Sequence, residues 1–406
     1  MVTSSPRILL LSFYYSPDLS AGSFRATALV RAIRAQAPDA CIDVITTLPN
    51  RYRSFSADAP ELERDGALTV HRIRLPSHSS GMRDQAMAFV AFARAASVRV
   101  RDRSYDLVFA TSGRLMSAAL AARLARMLRA PLYLDLRDIF VDTIGDVLPA
   151  PLQMPVKAVF GRVEAWTVRR AAHVNLVSEG FRPYFESRYP EQSFSYFTNG
   201  IDEEFLTLAS PEHIPDKGDR AAPIRVVYAG NMGEGQGLHA IVPELARRLA
   251  GRATFRLIGD GGRRTELERA LVAAGVQNVE IVAPVSRAEL IAEYRRATVL
   301  FLHLNDYPAF EKVLPSKIFE YAALGKPIWA GVAGYAAQFT RAEVSNAAVF
   351  APCDASAAMR ALDTLTLRDS LRAEFVRKFT RERIMSEMAA DVLRFAGRPT
   401  AAAGGA

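Results

Sequence analysis

Continuous apolar runs, each closed by a polar or glycine-bearing loop and followed by a helical pattern, recur along the chain. Residues 8–13, Ile-Leu-Leu-Leu-Ser-Phe, form the first. A run without polar alternation reads as a strand buried on both faces, as in a parallel sheet. It passes into Tyr14-Tyr15-Ser16-Pro17-Asp18-Leu19-Ser20-Ala21-Gly22-Ser23, a loop rich in Pro, Gly and Ser, and then into helical periodicity over 24–35. Similar runs predict strands at 41–46, 70–75, 107–110, 131–135, 172–177 and 194–197, with an Ala-rich helix at 115–129. After Asn199-Gly200 the pattern starts again. Strands are predicted at 224–229, 255–258, 279–282, 298–304 and 327–330, and helices at 238–250 and 289–296. Strand, loop, helix, strand is the grammar of βαβ units, so the fold class is α/β with mostly parallel sheets and helices on both faces.

The densest local signal is LPSKIFEYAALGKPI, residues 314–328. Pro315 suits the start of a helix, because its missing N–H would be unpaired there anyway. Ser316 and Lys317 fall in the first turn. Ile318, Phe319, Tyr321, Ala322 and Leu324 follow at helical spacing, and Gly325 is placed to stop the helix in a left-handed conformation. Exposed helix N–H groups, a cation and the carboxylate of Glu320 converge there, which suits a phosphate and a ribose diol. Lys317 and Glu320 alone read better as a solvated ion pair of little worth; the whole fifteen-residue pattern favours the binding role.

Two further stretches have the same character. Gly230-Asn231-Met232-Gly233-Glu234-Gly235-Gln236-Gly237 follows a strand and precedes a helix, an arrangement that cradles phosphate. It is not the dinucleotide fingerprint, whose glycine spacing and acidic partner are missing. Gly259-Asp260-Gly261-Gly262-Arg263 is a second glycine turn after a strand. Asp138 lies just past a predicted strand, at the edge where such sheets bind ligands; it serves equally well as a helix N-cap.

Together these motifs resemble glycosyltransferase family 4, and within it the subgroup that builds bacterial surface polysaccharides with a PSKxxEYxAxGxP segment. The resemblance implies the GT-B fold: two doubly wound Rossmann-like domains facing a cleft, with a C-terminal helix returning to the first. On that pattern the Asn199-Gly200-Ile201-Asp202 hinge divides an acceptor-binding domain, 1–200, from a nucleotide-sugar domain, 201–379. Residues 210–223 form the linker, the helix at about 380–396 returns, and 397–406 form a disordered tail. Carried over by position, Glu320 holds the ribose, and Ser316, Lys317, Gly230, Asn231, Gly233, Gly259, Asp260 and Arg263 belong to the nucleotide-sugar site, with Asp260 by the base or the phosphate. Val285 lies near the base. Backbone N–H groups of Val313 and Leu314, with Glu311, meet the transferred sugar. Gly22, Ser23 and Arg25 line the acceptor side, and Asp138 takes a sugar-contacting role; Asp138, Lys317 and Glu311 are the catalytic candidates. The chain departs from the family in three places. Ala21 precedes Gly22 where many members have two glycines. Asn231 and Gln236 stand where many carry Arg and Lys, leaving Lys317 and then Arg263 to neutralise the diphosphate. Lys312 occupies the place of the first Glu of the usual pair, with Glu311 one position off.

Composition narrows the class. The 406 residues are 50% hydrophobic and 23% charged, a globular balance too long for one typical core. Two distant cysteines, Cys41 and Cys353, give neither metal spacing nor a disulfide framework, which fits a reducing cytoplasm and inert packing. Residues 7–15 lack a convincing cleavage site and read better as a first strand than as a signal peptide. A net charge of +8 points to phosphorylated substrates or an anionic membrane surface, since no nucleic-acid-binding motif is present. The stretch 82–103 interleaves Met87, Phe89, Val90, Phe92 and Val98 with five arginines. It reads either as a helix lying on an anionic membrane or as an ordinary surface helix.

The resulting expectation is a retaining glycosyltransferase, cytoplasmic and peripheral on the inner membrane. It uses a nucleotide diphosphate sugar, no cofactor and no metal, and a glycan or lipid-linked glycan as acceptor. A degenerate, non-catalytic scaffold and a GT-B sugar-nucleotide epimerase are the alternatives.

Overall fold

A computed structural model describes residues 5–18, 20–49, 58–75, 82–141, 150–206 and 223–397. The chain forms two compact units: residues 1–198 with 382–406, and residues 199–381. All but Pro223 of the expected linker, 210–223, and all but Gly397 of the expected tail, 397–406, lie outside the described residues.

The first unit is built on β1 (Arg7–Ser12), β2 (Cys41–Thr47), β3 (Leu62–Asp65), β4 (Leu68–Ile73), β5 (Leu107–Ser112), β6 (Leu132–Leu136), β7 (His173–Leu176) and β8 (Phe194–Ser195). Their order is β3-β4-β2-β1-β5-β6-β7-β8, all parallel except the β3–β4 hairpin at the edge. The apolar runs are central strands. Ile8, Leu9 and Leu10 and the run Leu107 to Phe109 have no exposed surface, because helices cover both faces. The chain leaves β1 for β2 on one side and reaches β5 on the other, so the gap between β1 and β5 is the topological switch point.

The helix Arg381–Ala396 completes this unit. Its Phe395 ring stacks on His173 at 4.9 Å and meets Tyr133 edge-on at 5.7 Å. Tyr133 donates to its Asp391 at 2.7 Å. The helix Met82–Val100 has an inner face of Ala88, Phe92, Ala96 and Val100, yet it leaves Met87 67% and Val98 63% exposed. Cys41 is exposed rather than packed, because it is the first residue of β2, at the strand's open end.

The second unit holds β9 (Ile224–Asn231), β10 (Ala253–Asp260), β11 (Val279–Val282), β12 (Val299–His303), β13 (Ile328–Gly331) and β14 (Ala347–Phe350). The order is β11-β10-β9-β12-β13-β14, parallel throughout, with the switch point between β9 and β12. Trp329, Phe301, Phe255 and Leu245 fill the core on one face.

Candidate functional site

In the second unit the glycines of the two loops after β9 and β10 pack against each other. Gly230 and Gly259 both take φ near +140°, open to glycine and rarely to other residues. A Cβ on Gly259 would run into the Gly230 carbonyl, and one on Gly261 would lie 2.5 Å from the Met232 backbone. Met232 N–H donates to the Asp260 carbonyl at 2.8 Å, and Arg263 N–H to the Met232 carbonyl at 2.9 Å. The Asp260 carboxylate closes its own turn by accepting from Gly261 N–H at 2.8 Å. Farther along, Gly235 makes room for the Phe310 ring. Much of the glycine content therefore serves loop-on-loop packing, a use that sequence alone does not distinguish from room for a ligand.

The 230–237 loop is shaped by the residues that replace the expected cations. Asn231 Nδ2 donates to Gln236 Oε1 at 2.7 Å, and the same oxygen accepts from Gly233 N–H at 3.3 Å. Arg263 does not supply the missing charge. Expected to follow Lys317 in neutralising the diphosphate, it is instead held by the carboxylates of Glu234 and Glu266. Tyr307 and Arg263 together hold the Glu234 carboxylate below its usual pKa, against the smaller upward push of burial.

Lys317 does reach the loop. It opens the helix Lys317–Ala323, and its ammonium lies against Gly230 and 5.3 Å from the centre of the Tyr228 ring. Ser316 precedes the helix in αR conformation, Leu324 follows, and Gly325 sits at φ +71°, the left-handed stop read from the sequence. Glu320 follows one turn along from Lys317 and lies within the field of its ammonium. Its carboxylate lies 3.5 Å from Arg287 Nη1 and is 14% exposed. Burial pushes its pKa up. Arg287 pulls it down, Asp202 pushes it up, and Lys317 and Arg381 pull it down, with burial prevailing. Val285 is half-buried just before Ser286, which caps the helix Arg287–Arg296 by accepting from Glu289 N–H. Lys317, Glu320, Val285 and the 230–233 turn thus stand around the carboxyl ends of β9 and its neighbours, beside the switch point.

The segment 311–314 is less available than expected. Val313 N–H is spent on the Phe310 carbonyl at 3.2 Å, closing the short helix Pro308–Lys312, which corrects its assignment as a sugar donor. Leu314 is buried. The Glu311 side chain is exposed, and its carbonyl lies against Gly334, at φ +53°.

In the first unit, Gly22 and Ser23 lie in the first turn of the helix Ala21–Gln36, capped by Ser20, which accepts from Ser23 N–H at 3.2 Å. A Cβ on Gly22 would collide with the Arg137 guanidinium. One on Gly113 would lie 2.7 Å from Asp138 Oδ2 and 3.3 Å from Arg137 Nη2. Gly22, Gly113, Arg137 and Asp138 therefore meet at the ends of β1, β5 and β6, over the switch point. Solvent reaches Asp138, but surrounding protein desolvates its carboxyl and raises the pKa to about 6 against the lowering effect of Arg137. The chain after Val141 lies outside the described residues, and the N-cap reading of Asp138 with it. The position of Arg137 carried no sequence signal beyond its neighbour Asp138.

Arg25 is the clearest correction. It is 1% exposed and does not line an acceptor surface. Its Nε and Nη2 bind Asp135 at 2.8 and 3.0 Å, while Nη1 and Nη2 donate to the carbonyls of Thr198 and Phe197 at 2.7 Å each. Burial pushes the Asp135 carboxyl up, but Arg25, Asn175 and Thr111 outweigh it and hold the pKa below the usual value. The fork pins the end of the first unit's chain to its sheet.

Among the described residues no group of His, Cys, Asp and Glu could hold a metal ion, and no helix is long and apolar enough to cross a membrane.

Residues 20–193 match the family described as glycosyl transferase 4-like domain, and residues 223–367 match glycosyl transferases group 1. No curated protein matches the chain. Among solved structures it is similar to a sucrose-phosphate synthase from Thermosynechococcus elongatus, with TM-score 0.70 and 17% identity over 96% of this chain and 98% of that one. Anabaena HepE in complex with UDP and glucose gives TM-score 0.66 and 17% identity over 96% and 99%. A UDP-forming trehalose-phosphate synthase from Burkholderia xenovorans gives 0.65 and 14% over 97% and 99%.

Proposed function

The chain is a two-domain glycosyltransferase of the GT-B fold, and on that premise we propose that it moves a sugar from a nucleoside diphosphate to a lipid-linked glycan with retained configuration. The observation that carries the donor assignment is the pair on one short helix. Lys317 reaches the glycine turn after β9, while Glu320, a turn later, faces Arg287. A cation at the turn suits a diphosphate, and a fixed carboxylate suits two ribose hydroxyls. UDP and glucose in the HepE complex are consistent with this donor class.

In the proposed reaction the bond between the sugar and the β-phosphate breaks as the acceptor hydroxyl attacks from the same face. The leaving phosphate takes the hydroxyl proton. The protein then needs no nucleophile; its work is positioning, and stabilising negative charge on the leaving group, for which Lys317 is the principal cation. Gly22, Arg137 and Asp138 form the acceptor side on the first unit.

The lipid-linked acceptor is supported by apolar side chains left in solvent beside basic ones. Met87, Val90 and Val98 stand on the helix Met82–Val100, and Met154, Val159 and Trp166 on the helix Ala150–Arg170. Such faces suit the boundary of an anionic membrane. Flotation with anionic liposomes at low salt tests this part, and protein left at the bottom of the gradient would remove it.

The donor is tested by calorimetry against UDP, GDP and ADP and their sugars. Binding of one diphosphate, lost in Glu320→Ala, supports the assignment. Binding of none favours a non-catalytic scaffold.

A further inference from the structure

Arg287 occupies a position that the donor assignment leaves unexplained. It lies at the first position of the helix Arg287–Arg296, fixed there by the Ser286–Glu289 capping box. Its guanidinium is 21% exposed and touches three carboxylates: Asp202 from Nη2 at 2.6 Å, Glu204 from Nε at 2.7 Å, and Glu320 from Nη1 at 3.5 Å. The ring of Phe205 lies beneath it, with the guanidinium carbon 4.5 Å from the ring centre. Asp202 is itself fixed by Arg381 Nε at 2.6 Å, and Arg381 Nη2 donates to the Gly200 carbonyl at 3.0 Å. Arg287 is therefore anchored from three directions, with one nitrogen left to face Glu320.

An exposed pair between Arg and Glu is worth little, but here the two side chains are mostly buried, at 21% and 14% exposure. A planar guanidinium held by two short ion pairs and a ring cannot turn to follow Glu320, so Glu320 must come to it. We propose that Arg287 is the positioning residue of the donor site: it holds the Glu320 carboxylate ionised and in one orientation, ready to accept two vicinal hydroxyls of a nucleoside diphosphate.

This rests on the reading of Glu320 as the ribose ligand. The groups facing Glu320 are Arg287 from the 287–296 helix, Asp202 and Arg381 from the two ends of the second unit's chain, and Lys317 from its own helix. The buried Tyr294 and Tyr321 also lie within its field. Burial and Asp202 favour the protonated acid; Arg287, Lys317 and Arg381 oppose it. A protonated Glu320 accepts poorly from hydroxyls, so affinity falls as pH drops through its folded pKa. Removing Arg287 leaves Asp202, Glu204 and Glu320 facing one another, which moves that acid limb upward.

The experiment is calorimetric titration of the full chain with UDP, GDP and ADP between pH 5.5 and 9. It compares wild type, Arg287→Met, Arg287→Lys and Glu320→Gln. For Arg287→Met the acid limb is expected to move up by about one unit or more, so its deficit at pH 6 exceeds that at pH 9 by about tenfold. Arg287→Lys keeps the charge without the fork and is expected to restore the position of the limb. Glu320→Gln removes this limb, leaving weak binding whose remaining pH dependence is that of the diphosphate's own second ionisation, at about pH 6. A deficit in Arg287→Met that is the same at every pH would mark Arg287 as a structural strut only and overturn the inference while leaving the donor site standing. Should Arg287→Met fail to fold, an acid limb in Arg287→Lys that stays displaced as far as loss of charge predicts would overturn it equally. Wild-type binding of none of the three diphosphates would overturn the reading of Glu320 and this inference together.

Discussion

The ammonium of Lys317 lies where a side chain at position 230 would begin. Gly230 is the one residue in its turn that both admits this amine and takes the left-handed backbone, at φ +142°, on which the Gly259 turn rests.

Gly230→Ala therefore has two consequences. Backbone forced into that region costs about 1–3 kcal/mol, and the new methyl displaces the Lys317 amine. A lower denaturant midpoint should accompany weaker diphosphate binding. Unchanged binding in a folded variant would mean that the amine takes no part.

Lys317→Ala keeps the glycine turn intact and removes only the charge. Turnover is expected to fall about a hundredfold, as for loss of one preorganised electrostatic group, with little change in melting temperature. Comparable losses in rate and stability would assign Lys317 to the fold.

Glu320→Ala should weaken binding of the cognate diphosphate about tenfold or more, the scale for a hydrogen bond to a charged group. Circular dichroism should be unaltered. Full affinity in the variant would contradict the donor assignment.

Arg25→Ala should do the opposite. It strands the buried carboxylate of Asp135 and is expected to cost about 3–5 kcal/mol of stability in the first unit. The second unit's diphosphate binding, measured under conditions where the variant remains folded, should not change. A loss below about 1 kcal/mol would show that the fork is not holding the sheet end as described.

Asp138 gives a pH signature. Its folded pKa, about 6, lies above the unfolded value, so the folded state holds the extra proton between about pH 4 and 6. Stability contributed by this group is present below that window and declines as pH rises through it. Asp138→Asn should thus melt higher than wild type at pH 7.5 and close to it at pH 4. A gap independent of pH would place the carboxyl in an ordinary solvated setting.

The parallel strands were legible because a strand covered on both faces is an unbroken apolar run, as residues 8–13 and 107–110 show. The edge hairpin was not. All four residues of β3, Leu62 to Asp65, are exposed, so no burial pattern marks them. The short helix with Lys317 and Glu320 was readable because Pro315 and Gly325 bound it. What those two side chains face was not, since Gly230 and Arg287 lie far away in sequence. Arg25 was misread for the same reason: an Arg after a glycine loop looks exposed until a partner 110 residues later, Asp135, is brought beneath it.

The helix Arg381–Ala396 covers Tyr133 and His173, so the first unit is not finished where its sequence first ends, near Thr198. On the ribosome, the sheet begun at Arg7 must wait for the helix Arg381–Ala396 to emerge before that face is sealed. The second unit, whose residues are continuous, can close first. A gene fragment meant to yield the amino-terminal half alone would need residues 382–397 fused back to it, and a stop codon within the helix Arg381–Ala396 would strike the half of the protein made first.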